Sequence, residues 1–173
     1  MTGRLGALLL CAGLGLAAGG LACRHQDSDR AAGDPGELAR FRLSDGPLEE
    51  LRIRRDTRGS FVISGFCFFP EQTQLSLVLY DAEEVVVART QAQVQNSLFQ
   101  SLPLTRPDDR RWPAGAYTLV VEAIFAPGAQ PDRVLRSSRQ GQALTGEGMT
   151  TTVQGRPAFA KRFPFVLSGD GTD

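Results

Sequence analysis

Histidine occurs once in the 173 residues, at His25, and lysine once, at Lys161. A lone imidazole close to the N-terminus, in a polar stretch, cannot be held in a shaped cleft as general acid–base catalysis requires. The chain also lacks a Gly-x-Ser-x-Gly elbow, a phosphate-binding loop and any metal-type Cys/His cluster. These gaps argue against an enzyme and assign no cofactor and no metal. Net charge is missing too: 19 basic residues balance 19 acidic ones. A neutral chain has no electrostatic footprint for nucleic acid or for acidic lipid. No segment has convincing helical amphipathicity. What remains is 42% hydrophobic residues with abundant Gly and Pro, a composition typical of one folded domain.

The N-terminus reads as an export signal. Arg4 is followed by the uncharged apolar run Leu5–Leu16, then by small residues at Ala17–Gly20. That is the three-part layout of a secretory signal over residues 1–22. An uncleaved span over Leu5–Cys23 would be short and Gly-rich, and would leave Arg24, Arg30 and Arg40 outside against one Arg inside. Gly20-Leu21-Ala22-Cys23 resembles the lipobox of bacterial lipoproteins, with Leu one place further in than the family prefers. The resemblance implies acylation of Cys23 and a membrane held through an N-terminal lipid. The absence of Asp directly after Cys23 then implies the outer membrane. The same residues fit ordinary cleavage after Ala22, which would release the chain. Residues 23–47, rich in Asp, Arg, Gly and Pro, read as a flexible tether, with at most a helical turn at Glu37–Leu43. Cys67 lies in the apolar run Phe66–Phe69 and reads as a small buried hydrophobe. A disulfide with an unacylated Cys23 is the alternative.

From Leu48 to residue 168 the periodicity is two. Leu51–Arg54, Phe61–Phe68, Leu75–Tyr80, Val85–Ala88, Gln91–Gln95, Leu98–Leu102 and Tyr117–Phe125 read as strands, with Phe159–Leu167 after them. Asp81–Glu84 and Gln95–Ser97 are turns by composition. Pro164 marks the last strand as an edge or a bulged strand. This predicts an all-β fold, an antiparallel sandwich of about seven strands, closing with a disordered tail at 169–173. Pro113-Ala114-Gly115-Ala116-Tyr117 before an alternating strand resembles the Pro-x-Gly-x-Tyr lead-in of immunoglobulin-like and fibronectin-type-III-like bacterial modules. There the Tyr hydroxyl bonds back to upstream backbone, and the resemblance implies the sandwich fold, not a function.

Candidate sites are few. Glu83 and Glu84 are adjacent and read as solvated loop residues. Asp108-Asp109-Arg110-Arg111 offers oxygen ligands for calcium, opposed by its own arginines. The long segment Ala126–Arg156 carries Arg133, Arg136 and Arg139, a basic set suited to an anionic glycan or an acidic partner, with Val134-Leu135 as another edge strand. Phe66 and Phe68 belong either to the core or to an exposed contact patch. The expectation is a non-catalytic envelope lipoprotein with a structural or protein-interaction role and a protein partner in the envelope. The alternative is a secreted or periplasmic module binding a carbohydrate or other small ligand.

Overall fold

The computed structural model describes residues 36–106 and 111–168. The export signal, Cys23, His25, the first part of the tether, the Asp108–Arg110 loop and the tail at 169–173 lie outside the described residues. Nine strands and one short helix follow in chain order: β1 (Glu37–Arg42), β2 (Leu48–Arg55), β3 (Phe61–Cys67), β4 (Gln74–Tyr80), β5 (Val86–Gln93), β6 (Leu98–Gln100), β7 (Gly115–Ile124), α1 (Asp132–Ser137), β8 (Met149–Thr151) and β9 (Pro157–Leu167). All strand pairs are antiparallel, in a four-stranded sheet β1-β2-β3-β6 (sheet A) and a five-stranded sheet β5-β4-β7-β9-β8 (sheet B). The protein is therefore an all-β sandwich. With the outermost β1 and β8 set aside, β2-β3-β6 faces β5-β4-β7-β9. That is the A-B-E against C′-C-F-G arrangement of an immunoglobulin-like sandwich.

Alternation explains the core. Tyr117, Leu119, Val121 and Ala123 of β7 point inward together and are buried, as are Phe159, Phe163, Phe165 and Leu167 of β9. Leu51, Ile53, Phe61, Ile63 and Phe99 of sheet A meet them from the other side. Trp112 stacks on Phe61 at 4.9 Å between ring centroids, and Tyr117 and Phe165 stand edge-on to the same ring. The Tyr117 hydroxyl donates to the Pro113 carbonyl four residues upstream, at 2.9 Å. This is the bond that the Pro-x-Gly-x-Tyr lead-in led one to expect.

Turn chemistry sets the hairpins. Asp56 Oδ1 accepts from the amides of Arg58 and Ser60, and Asp81 Oδ1 accepts from those of Glu83 and Val85. Asn96 and Ser97 both take positive φ, 52° and 61°, between the bridged residues Gln95 and Leu98. That is the type I′ pattern whose twist suits a two-residue β connection. Gln91–Gln93 continue β5 and do not form a strand of their own.

Three further expectations are corrected. The stretch 37–42, read as tether with a helical turn, is strand β1. Its pairing with β2 carries a register shift between Glu37 and Ala39, which breaks the strict alternation by which a strand is recognised. The link between Cys23 and the domain is correspondingly shorter than residues 23–47. Val134 and Leu135 sit in α1, where their burial fastens the long segment against the sandwich. Gln130 holds that segment further, since its amide exchanges two 2.8 Å hydrogen bonds with the backbone N–H and C=O of Gln74. Finally, β9 is an edge strand only over part of its length. β8 covers it at Pro157–Phe159, and Ala160 donates to Gly148, whereas Pro164 pairs inward with Thr118 only. The proline lies where no outer partner among the described residues needs its missing N–H.

Candidate functional site

The two outer faces differ. On sheet B, Val78, Val120 and Ala158 point outward yet are buried. Arg162 reaches across to Glu84 at 2.5 Å and lies 5.6 Å over the Tyr80 ring. The middle of that face is thus closed off, while Ile124 and Val166 at its ends stay exposed. A hollow of 310 Å³ at its end is lined by Asp81, Glu84, Tyr117, Pro164 and Val166, with Asp81 Oδ1 engaged by the amides of Glu83 and Val85 and Glu84 by Arg162.

Sheet A presents a groove of 610 Å³ on its outward side. The register builds it: β2 contributes Glu50 and Arg52, β3 Ser64 and Phe66, and β6 Leu98 and Gln100. The end of β5 and its turn add Gln93, Gln95 and Asn96. Phe66 and Leu98 are direct cross-strand partners, and so are Ser64 and Gln100. Arg52 Nε donates to Glu50 at 2.5 Å, and Arg40 stands 3.6 Å from the same carboxylate. The hydrogen bond from Arg52 is the main reason that Glu50 titrates below its ordinary 4.5. At neutral pH the Arg52–Glu50 pair is fully ionised and internally balanced. Gln95 Nε2 donates to Gln93 Oε1 at 3.4 Å, which aligns the two carboxamides along one wall.

Of the residues singled out from sequence, Phe68 is 58% exposed, Phe66 is half-buried, and Phe69 is in the core. Phe66 and Phe68 meet edge to face at 5.4 Å, and Leu98, at 55% exposure, extends the apolar corner. Arg133 and Arg136 share the solvent side of α1 at i,i+3 spacing, and Arg139 follows at φ 50°. They lie on and just after α1 and do not line the groove. Cys67 is a fully buried free thiol whose pKa burial pushes up to about 11, the opposite of a reactive cysteine. Glu83 and Glu84 are exposed in the β4–β5 turn.

No protein-family model matches the chain, and no curated protein sequence matches it. The functional reading therefore rests on chemistry alone. Among the described residues no group of three His, Cys, Asp or Glu could hold a metal, and no helix is long and apolar enough to cross a membrane. Sequence reasoning missed the groove because its amides come from β5, β6 and their turn, each unremarkable in isolation. The run of five carboxamides over residues 91–100 was the signal available.

Proposed function

We propose that the protein is a non-catalytic lipoprotein of the cell envelope, held at the outer membrane through an acyl group on Cys23, whose sandwich works by binding. The observation that carries the binding role is the outward groove of sheet A with the apolar corner Phe66, Phe68 and Leu98 beside it. Soluble domains seldom leave contiguous apolar side chains uncovered unless something docks there. The topology supports the same reading. β1 starts beside Arg54, at the end of the sandwich formed by the β2–β3 turn, while Phe66 and Leu98 lie towards the opposite end. An anchor ahead of β1 would leave the groove's far end directed away from the lipid.

Contact with another envelope protein accounts for the apolar corner. The polar lining of the groove favours the second reading, a saccharide, which is taken up below. The anchor is tested by labelling cells with palmitate. Wild-type protein is expected to carry label and sediment with membranes, whereas Cys23→Ala loses both. An unlabelled wild-type chain recovered from the soluble fraction would overturn the lipoprotein reading.

A further inference from the structure

From the groove's lining we infer that it is a binding site for a neutral oligosaccharide. The inference rests on the reading that sheet A's outer face is the binding surface, and it names the class of occupant. Each carboxamide of Gln93, Gln95 and Gln100 offers a donor and an acceptor side by side, and Ser64 adds a hydroxyl. Adjacent sugar hydroxyls, each both donor and acceptor, match that pattern, whereas an apolar ligand would leave the amides unpaired. Phe66 and Leu98 supply an apolar surface for the C–H face of a sugar ring. The only charges lining the groove, Glu50 and Arg52, neutralise one another at 2.5 Å. Among the lining side chains a charged ligand therefore finds no unpaired countercharge, although Arg40 stands behind the pair, 3.6 Å from Glu50.

Peptide recognition fits this floor less well. β3 is hydrogen-bonded to β2 on one side and β6 on the other, so the floor of the groove itself offers no free strand edge to which a peptide could add. The volume, 610 Å³, lies within the ~300–1,000 Å³ of ordinary ligand clefts. The groove is open along the sheet, which suits an internal stretch of a chain more than a single enclosed monosaccharide.

The test uses the full mature chain in detergent, titrated with maltohexaose, cellohexaose and tri-N-acetylchitotriose and followed by calorimetry and by the NMR signals of the side-chain amides. The expected result is saturable binding of at least one probe that shifts the Gln93, Gln95 and Gln100 amides. Affinity should fall about tenfold or more in the Gln95→Ala/Gln100→Ala double variant and in Phe66→Ala, a loss of about 1.4 kcal/mol at the tenfold limit. It should change little between low and high salt, because no net charge is engaged. Unaltered Tm in the variants, whose altered side chains are at least partly solvent-accessible, separates loss of binding from loss of fold. Absence of binding by all three probes, or binding indifferent to the variants, overturns the saccharide assignment. If the Phe66–Leu98 face is nevertheless shielded in native envelopes, the face reading stands and its occupant is a protein.

Discussion

Gly65 lies at the centre of β3, directly opposite Leu51 on one side and Phe99 on the other. A Cβ built there would meet the Phe99 ring at 2.5 and 2.7 Å and would press on the backbone carbonyl oxygen of Glu50. The ring can rotate, but the carbonyl belongs to the β2–β3 ladder and cannot move without loosening it. Overpacking of this kind costs about 1–3 kcal/mol, and the backbone contact puts Gly65→Ala at the upper end. Relief of the glycine's chain entropy offsets roughly 0.5–1 kcal/mol. The expected net loss is about 2 kcal/mol, which for a domain of this size lowers Tm by about 6–10 °C. Because Ser64 and Phe66 flank Gly65, the same change should disturb the groove's floor. Differential scanning fluorimetry measures the shift, and Gly65→Ala/Phe99→Leu should recover part of it. A Gly65→Ala protein melting within about 2 °C of wild type would refute the close approach of β2, β3 and Phe99.

Other substitutions probe separate elements. Tyr117→Phe deletes the 2.9 Å bond to Pro113 and should cost about 1 kcal/mol in urea unfolding, with the fold retained. Phe61→Ala empties the centre of the aromatic cluster with Trp112, Tyr117 and Phe165 and should cost about 3–5 kcal/mol by the same measurement. Ser97→Gly removes a side chain held at φ 61° and creates an Asn-Gly turn, so stability should rise by up to about 1 kcal/mol. Cys67 predicts an alkaline effect: its thiol ionises near 9.0 when unfolded but only near 11 when buried. Its contribution is thus full below pH 9 and is lost as pH rises towards 11, roughly 2–3 kcal/mol in all. Wild type should lose more stability than Cys67→Ala between pH 8 and pH 10.5, and equal losses would contradict the burial of the thiol.

The strands that alternate cleanly were legible from sequence. Tyr117, Leu119, Val121 and Ala123 declare their shared face by parity, and so do Phe159, Phe163, Phe165 and Leu167. Asp81 and Asn96 announce turns because their side chains or αL tolerance do the local work. β1 escaped because its bulge puts Leu38 and Ala39 side by side and because Gly and Pro surround it. α1, at six residues, is too short to display a helical period, and the β-branched Val134 suggested a strand instead. The groove was the least legible feature. Register, which sequence does not print, sets Ser64 against Gln100 and Phe66 against Leu98.

The central proposal is that the protein resides in the cell envelope and that the outer face of sheet A is its working surface there. Hydroxyl-radical footprinting of the full-length protein, in isolated envelopes and after purification in detergent, tests it most directly. Phe66, Phe68 and Leu98 should be shielded in envelopes, while Val153 and Val166, exposed by 107% and 69%, are modified equally in both states. Equal modification of the Phe66–Leu98 face in the two preparations would contradict the account.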